Sequence, residues 1–480
     1  MTMTAAPQNE HVAWSEILTR KAAVPLALVS LGVWLHAADS LLLATMIPQI
    51  LADIGGDRFV AWTIATYEIG SIVAGACAAI ATMRVGIRNV MASCAMIFAL
   101  GCAASMVATN MPVLLAGRVL QGLGGGGLTA MTFIAIGILF STRHQARVLA
   151  VISALWGASA FLGPLIGAFF VEYFTWRWGF GFFLLQALIL ALWIYFTPGI
   201  SLGRDMNNAP SLPVKRLILL VTGTTMIASA GIEVSLPQTP LLIMGAFTLL
   251  LLFLRQDARS RDNRMLPENA FRLRDSSGAA LLMWFSMSAG VMGLMSYGPV
   301  LLASLHGVSP ITVGYILAGG SFGWSAAAIV VSGSPERLDP FWITLGLALV
   351  ACSVIGMFFA TPAGPVWVIA ALTWLEGIGF GAAYTFIQRR LIAITPEKEQ
   401  ARVTGAMPTV ARFGYAVGAA ICGILANAAG FSLEATPETL QTVARYVFAG
   451  SLPFIALGLL AMRRFLCRQP IRSMSSQPPS

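Results

Sequence analysis

The sequence Gln145-Ala146-Arg147-Val148 occurs a second time as Gln400-Ala401-Arg402-Val403, 255 residues further along the chain. The same offset aligns Gln121-Gly122-Leu123-Gly124 with Glu376-Gly377-Ile378-Gly379. Both matches lie within long apolar stretches. The repeat therefore predicts two copies of one helical bundle inside a membrane.

The composition indicates an all-α integral membrane protein. Hydrophobic residues make up 57% of the chain and charged residues only 10%, against roughly 25% charged residues in a soluble domain. A helix needs about 20 apolar residues to cross a bilayer. Such stretches predict fourteen spanning helices, at residues 24–51, 59–82, 88–109, 112–140, 146–172, 176–199, 214–233, 239–256, 277–304, 310–333, 338–360, 363–392, 402–428 and 440–464.

The repeat offset also predicts the domain organisation. Six helices with their loops take about 180 residues at this density of spans, which is less than the offset of 255 residues. The surplus indicates two extra helices between two pseudo-symmetric six-helix bundles. The predicted parts are an amino-terminal segment 1–23, a first bundle 24–200, a two-helix insert with its loop 201–276, a second bundle 277–465 and a disordered tail 466–480.

Positive charge is distributed unevenly over the two faces of this arrangement. Of 29 Lys and Arg residues, we assign 24 to segments on the face of the amino terminus and two, Arg118 and Arg412, to helix interiors. The opposite face holds only Arg58, Arg177 and Arg445. Because Lys and Arg accumulate on the cytoplasmic side, we predict a multi-pass protein of a bacterial cytoplasmic membrane with both termini in the cytoplasm.

Other features exclude several classes of protein. The first 20 residues are polar and the first apolar run is too long for a signal peptide. The six cysteines form no CxxC or Cys/His cluster, so disulfides and metal sites are not expected. The positive charge follows membrane topology rather than a nucleic-acid-binding pattern. We expect a monomer in the lipid bilayer with no cofactor.

The motifs resemble those of the major facilitator superfamily, and in particular its fourteen-span drug:proton antiporter branch. The fourth predicted helix carries an arginine motif, the fifth an antiporter motif, and the first an acidic motif with a proline nine residues later. Their residues are Leu115, Arg118, Gln121, Gly122 and Gly124; Ser159, Gly163, Pro164 and Gly167; and Asp39 with Pro48. Trp176-Arg177-Trp178, and Arg412 with Gly418, are similar to the same branch. The resemblance implies alternating access between two bundles, with the antiporter motif sealing against proton leak.

One motif departs from the family pattern. The loop after the second helix usually holds a Gly, an Asp and basic residues that latch the cytoplasmic gate. Here Arg84, Gly86 and Arg88 match, whereas Met83 stands in the place of the Asp. We predict that Arg84, Gly86 and Arg88 still belong to a gate, and that Glu336 or Asp339 in the second half is a candidate substitute partner.

Asp39 and Arg118 are the first candidates for proton coupling. Charged groups inside a bilayer cost about 2.5–3.5 kcal/mol each, so they indicate function by default. We expect Arg118 to attract Asp39, and Asp39 to exchange protons when water reaches it. A structural hydrogen-bonding role for Arg118 is the alternative. His36 lies one helical turn before Asp39 and either extends a proton relay or packs as a neutral side chain.

Three more ionisable groups lie inside predicted helices. Glu68 either serves proton coupling or caps the hydroxyl groups of Thr63 and Thr66. Glu376 is aligned with Gln121 and is a further candidate for proton coupling. Arg412 is aligned with a glycine of the first half. Glu376 and Arg412 are predicted either to pair with each other or to contact a substrate or gate.

The remaining candidates belong to a substrate cavity. Tyr67, Trp156 and Met46 neighbour motif positions and offer apolar surface, and we assign them to the cavity together with His36, Gln121 and Arg412.

The leading functional prediction is a secondary transporter that exports a small amphipathic compound or drug by proton antiport. The alternatives are proton-coupled uptake or export of one metabolite and, less favoured, a membrane-embedded enzyme. The four histidines are scattered, which disfavours an enzyme.

Overall fold

A computed structural model describes residues 19–197, 212–260, 264–267 and 269–467. The predicted tail, most of the amino-terminal segment and the linker after the first bundle lie outside these residues. The described helices are α1 (Arg20–Ile54), α2 (Val60–Val85), α3 (Ile87–Met106), α4 (Met111–Leu139), α5 (Thr142–Tyr173), α6 (Trp176–Phe196), α7 (Val214–Ser229), α8 (Gln238–Arg259), α9 (Ser276–Gly290), α10 (Met292–His306), α11 (Pro310–Val331), α12 (Asp339–Ala363), α13 (Val366–Ile394), α14 (Glu397–Ala428) and α15 (Pro437–Leu466). No strand occurs in these ranges.

The number of spanning helices agrees closely with the sequence prediction. Within the described residues, thirteen segments are long and apolar enough to cross a membrane, and α9 with α10 counts as one of them, Ser276–His306. The remaining predicted span corresponds to α7, which has only 16 residues. At 1.5 Å per residue, α7 is about 24 Å long, which is shorter than a typical hydrocarbon core. The chain is therefore an all-α, multi-pass membrane protein.

The internal repeat is visible as matching contacts in the two halves. Gln145 Nε2 donates a hydrogen bond to the carbonyl of Phe140 (3.2 Å), and Gln400 Nε2 donates to the carbonyl of Thr395 (3.1 Å). Phe140 and Thr395 are themselves 255 residues apart. The repeated glutamine thus ties the first turn of α5 and of α14 to the end of the preceding helix. This confirms that the repeat marks equivalent structural positions.

Glycines bring equivalent helix pairs into close contact in both halves. A Cβ atom on Gly122 of α4 would lie 2.1 Å from the carbonyl oxygen of Tyr67 on α2. A Cβ atom on Gly377 of α13 would lie 1.8 Å from the carbonyl oxygen of Gly320 on α11. Small residues allow such backbone approach in membrane proteins. The α2–α4 contact of the first half is therefore repeated as α11–α13 in the second.

Gly377→Ala is expected to destabilise the protein. The added methyl group would overlap the α11 backbone, and overpacking of this kind costs about 1–3 kcal/mol. We expect a lower melting temperature in detergent, measured by tryptophan fluorescence. Gly405→Ala is the matched control, because a Cβ atom there meets nothing within 4 Å. Equal melting temperatures for the two variants would contradict the close α11–α13 contact.

The two insert helices lie at the junction of the two halves. α7 and α8 pack on each other, and α7 also contacts α2 and α14. Trp62 Nε1 on α2 donates a hydrogen bond to the carbonyl of Ala228 on α7 (3.1 Å). At the other end, Arg216 and Asp257 form a buried ion pair (2.6 Å) between α7 and α8. The insert is therefore fixed against both halves.

Hydrogen bonds between loops and helices join the two halves at one face of the molecule. We call the face that holds residues 55–59 the α1–α2 face, and the opposite face, which holds Thr19 and Cys467, the terminal face. At the α1–α2 face, Asn427 Nδ2 donates to the carbonyl of Arg58 (3.0 Å), and the Leu433 amide donates to Asp57 Oδ2 (2.9 Å). These bonds link the loop after α1 to α14 and to the loop after α14.

Toward the terminal face, α2 and α14 separate. A Cβ atom on Gly75 of α2 or on Gly405 of α14 would meet no atom within 4 Å, and both residues are exposed. By contrast, a Cβ atom on Gly423, nearer the α1–α2 face, would lie 2.6 Å from Ala61 Cβ. The described form is thus closed between α2 and α14 at the α1–α2 face and open at the terminal face.

Candidate functional site

A buried ion pair lies inside the first six helices. Arg118 Nη1 on α4 is 2.9 Å from Asp39 Oδ2 on α1, and the two side chains are 1% and 0% exposed. Arg118 lies one turn before Gly122, on the face of α4 that packs closely against α2. The guanidinium of Arg118 therefore points between helices. The predicted contact between Arg118 and Asp39 is confirmed.

Further hydrogen bonds fix this pair in place. Arg118 Nη1 also donates to Gln121 Oε1 (2.8 Å), and Arg118 Nε donates to the carbonyl of Thr63 on α2 (3.3 Å). Gln121 Nε2 in turn donates to Asp39 Oδ1 (3.4 Å) and to Cys102 Sγ (3.2 Å). Because a buried charge needs several hydrogen-bond partners, this network explains how both charges are accommodated inside the bundle. It brings together α1, α2, α3 and α4.

Aromatic side chains cover one side of the ion pair. The Arg118 guanidinium lies 4.2 Å from the centre of the Tyr67 ring. The Tyr67 hydroxyl lies 2.8 Å from His36 Nδ1 and donates to the His36 carbonyl (3.0 Å). His36 also stacks on Tyr67 and contacts the edge of Trp156, with ring centres 5.4 and 5.9 Å apart. The structure thus groups His36, Tyr67 and Trp156 with the ion pair. His36 contacts Tyr67, and Tyr67 in turn contacts Arg118.

The antiporter-motif residues of α5 pack against α1. A Cβ atom on Gly163 would lie 2.8 Å from the carbonyl oxygen of Ala38, and one on Gly167 would lie 2.4 Å from that of Leu42. Thr45 Oγ1 donates a hydrogen bond to the carbonyl of Pro164 (3.0 Å). The motif therefore holds α5 tightly against the segment of α1 that contains Asp39.

Two motif-related residues lie deep in the first bundle. Ser159 is fully buried, and its hydroxyl makes no hydrogen bond among the described residues. Met46 is fully buried, and its Sδ atom would lie 2.7 Å from a Cβ on Gly179 of α6. The assignment of Met46 to a substrate cavity is therefore wrong, because this face of α1 packs on α6 inside the bundle.

A second ionic contact crosses from one half to the other. Arg412 Nη1 on α14 lies 3.6 Å from Glu68 Oε2 on α2 and donates a hydrogen bond to Ser71 Oγ. Thr63 and Thr66 instead bond to carbonyls of their own helix. The alternative in which Glu68 caps these threonines is thus wrong, because both hydroxyl groups are already engaged.

Glu376 does not pair with Arg412, which corrects the predicted pair. Arg412 points across the boundary to α2, whereas Glu376 lies on α13 within the second half. Glu376 is 7% exposed and makes no ion pair or hydrogen bond among the described residues. Thr373, which replaces the arginine of the first half, bonds only to the Ile369 carbonyl (2.9 Å). The second half therefore has a buried carboxyl group but no counterpart of the Asp39–Arg118 pair.

The loop after α2 lacks the ionic latch of the family pattern. Gly86 has a φ of 86°, which favours glycine, and it separates α2 from α3. Arg84 is exposed and Arg88 half-buried, and neither forms an ion pair among the described residues.

Of the two candidates for a substitute latch, Asp339 forms an ion pair within the second half, and a latch role for Glu336 stays a prediction. Asp339 pairs with Arg389 of α13, and Arg389 also donates to the carbonyl of Ser334 (3.2 Å). This contact stays within the second half, because Arg389 projects from the same bundle as Asp339. Its counterpart in the first half is Ile134, 255 residues earlier, so the first half has no equivalent charge.

Sequence reasoning missed Ser71 and the Thr63 carbonyl. Ser71 lies three residues after Glu68 and therefore on the same face of α2. This spacing identifies Ser71 as a contact only once Arg412 on α14 is known to be the partner of Glu68. In the part of the chain that the structure describes, no group of His, Cys, Asp or Glu side chains is arranged to hold a metal ion.

Comparison with known proteins places the chain in a family. The sequence profile of the Major Facilitator Superfamily matches residues 29–385 and 336–479. A probable multidrug-efflux transporter of Mycobacterium tuberculosis is 28% identical over 450 residues, covering 89% of this chain and 92% of that protein. An efflux pump of Gibberella fujikuroi is 26% identical over 424 residues, covering 83% and 74%.

Solved structures show the same fold. A bacterial homolog of the human lysosomal transporter Spinster, in an inward-facing and unoccupied conformation, aligns with a TM-score of 0.66 at 15% identity, covering 94% of this chain and 98% of that chain. A D-xylose–proton symporter aligns with a TM-score of 0.60 at 14% identity, covering 92% and 96%. The chain belongs to the Major Facilitator Superfamily and is a membrane transporter rather than an enzyme.

Proposed function

We propose that the protein exports a small amphipathic compound in exchange for protons, by alternating access between its two halves. The observation that carries this proposal is the buried Asp39–Arg118 ion pair (2.9 Å) inside the first half. Intramembrane carboxylates of transporters serve as proton sites. In this mechanism the opposing arginine favours the ionised form of Asp39 until the pair loosens. A proton then binds a carboxylate oxygen, and Arg118 remains bonded to Gln121 and the Thr63 carbonyl.

Glu376 is the second proposed proton site. It is buried in the second half and has no arginine beside it among the described residues. The two carboxyl groups thus differ in their neighbours: Asp39 faces Arg118, whereas Glu376 faces no cation among the described residues. A substrate that carries a positive charge is able to pair with Glu376, because no protein cation competes for it there.

The proposed direction of transport rests on the names of related proteins and on the membrane topology of this chain. Relatives from Mycobacterium tuberculosis and Bacillus subtilis are named as multidrug transporters, which supports export of drug-like compounds. The two extra helices α7 and α8 support the fourteen-span antiporter branch. The uneven positive charge supports a bacterial cytoplasmic membrane with the terminal face in the cytoplasm. In that orientation the described form is open to the cytoplasm, where an exporter collects its substrate.

Export of a single metabolite is the second candidate function. A relative from Aspergillus aculeatus is named as a transporter of the acurin A biosynthesis cluster, and it is 24% identical over 433 residues. Such a transporter would share the proton site and differ only in how many compounds it accepts.

Reconstituted proteoliposomes test the proposed function. Ethidium and fluorescein serve as cationic and anionic probes, and an imposed pH gradient drives their movement in either direction. We expect a gradient-dependent flux of at least one probe, accompanied by an opposite proton flux measured with an entrapped pH dye. Collapse of the gradient by a protonophore should stop accumulation. Probe accumulation that persists without the gradient would contradict proton antiport.

A further inference from the structure

α2 carries two consecutive side chains that contact different ion pairs. Tyr67 points into the first half, where its ring lies 4.2 Å from the Arg118 guanidinium. Glu68 points to the second half, where its Oε2 atom lies 3.6 Å from Arg412 Nη1. Arg118 also holds the Thr63 carbonyl, one turn earlier on α2. One helix thus connects the ion pair within the first half to the ion pair between the halves.

The Glu68–Arg412 contact lies where the two halves begin to separate. From the α1–α2 face inward, α2 and α14 touch at Ala61 and Gly423 and again at Ser71 and Arg412. Beyond this level toward the terminal face, Gly75 and Gly405 face open space. The contact is therefore near the depth at which α2 and α14 separate, where it joins the two halves.

The Glu68 carboxylate is only partly satisfied by Arg412. The distance of 3.6 Å is an ionic contact without a hydrogen bond, and Glu68 Oε2 has no hydrogen-bond partner among the described residues although it is buried. Arg412 is held in place independently by Ser71. A proton or a ligand can therefore bind the Glu68 carboxylate while Arg412 keeps its hydrogen bond to Ser71.

We infer that the Glu68–Arg412 pair is the lock that makes exchange obligatory. While Glu68 is ionised and held by Arg412, the halves stay joined at α2 and α14, and the empty transporter does not reorient. A proton from water forms an O–H bond with a Glu68 carboxylate oxygen and removes the ionic attraction, and the same proton leaves to water on the other side. A bound substrate that pairs with either Glu68 or Arg412 removes this ionic attraction in the same way. This inference rests on the proposed function and makes Glu68 a proton-binding site at the boundary between the halves.

The groups that face Glu68 are consistent with this role. They come from α14, α4 and α2 itself, and each interacts electrostatically with Glu68: Arg412, Arg118, Tyr67 and Tyr415. Arg412 and Arg118 favour the ionised carboxylate, and only Arg412 belongs to the other half. Loss of the Glu68 charge therefore weakens a contact between halves while the Asp39–Arg118 pair stays intact.

Glu68→Gln tests the lock in proteoliposomes with the probe that wild type transports. Without the lock, the empty transporter is able to return, so net downhill flux should no longer require protons on the opposite side. We expect the dependence of this flux on opposite-side pH to disappear and substrate-driven proton flux to be lost, while exchange of labelled for unlabelled probe continues. Glu68→Asp should keep the pH dependence, and Thr66→Val is the matched control on the same helix.

A charge exchange provides a second test. Arg412→Glu alone should lose coupling, and Glu68→Arg combined with Arg412→Glu should restore at least part of it. Spin labels at Gly75→Cys and Gly405→Cys, in a background without the native cysteines, should report one main distance in wild type without substrate and a broader distribution with Glu68→Gln. Retained proton flux in Glu68→Gln, or loss of exchange in a folded protein, would overturn the inference. Absence of proton-coupled flux in wild type would instead overturn the proposed function.

Discussion

Asp39→Asn is expected to abolish transport driven by a pH gradient and to leave the protein in the membrane. Asparagine has nearly the same shape but cannot bind and release a proton near neutral pH. Arg118 keeps its bonds to Gln121 Oε1 and the Thr63 carbonyl, so the four helices around it should stay assembled. The measurement is probe accumulation in proteoliposomes under an imposed pH gradient, with the amount of reconstituted protein determined in parallel.

Exchange of labelled for unlabelled probe is the control for Asp39→Asn. If Asp39 carries the proton and does not bind the substrate, exchange should persist in the variant while accumulation is lost. Asp53→Asn is a suitable comparison, because Asp53 is an exposed residue of the same helix that pairs with Arg177 at the α1–α2 face. Undiminished accumulation by Asp39→Asn would remove Asp39 from the coupling mechanism.

Arg118→Ala is expected to have the largest effect on stability and to stop transport as well. The substitution leaves Asp39 buried without its counter-charge, and breaking a buried ion pair from one side costs about 3–5 kcal/mol. Gln121 and the Thr63 carbonyl lose the same donor. We expect a clearly lower melting temperature in detergent and no gradient-driven accumulation.

Arg118→Lys separates charge from geometry. Lysine keeps the positive charge but offers a point charge instead of a planar group that donates to several acceptors and stacks on a ring. It can pair with Asp39 but cannot also bond the Thr63 carbonyl through Nε and cover the Tyr67 ring. We expect stability close to wild type with transport well below it. Full transport by Arg118→Lys would show that only the charge at this position matters.

The sequence predicted the fold almost completely. Apolar stretches of membrane-spanning length define the helices because every backbone polar group in lipid must be satisfied within its own segment. The repeat at Gln145 and Gln400 located equivalent loops, and the surplus residues between the copies located α7 and α8. The break between α9 and α10 at Val291 was not apparent, because hydropathy measures apolar character and not the continuity of a helix.

The ionisable residues were recognised, but only some of their partners were. Asp39 and Arg118 are paired as predicted because both lie in the first half, where motif spacing constrains their neighbours. The partner of Arg412 was predicted in its own half, and the structure places it across the boundary at Glu68 and Ser71. Asp339 was a candidate for a substitute latch without a named partner, and the structure places it against Arg389 in the second half.

The sequence by itself determined which segments are apolar enough to enter the membrane and which charges lie within them. These properties depend on local composition and on the cost of placing a charge in lipid. Only the tertiary structure decided which buried charges meet, because residues 344 positions apart, such as Glu68 and Arg412, are brought together by the packing of α2 against α14. That packing also separates the helices at Gly75 and Gly405, and no periodicity in either helix encodes the angle between them.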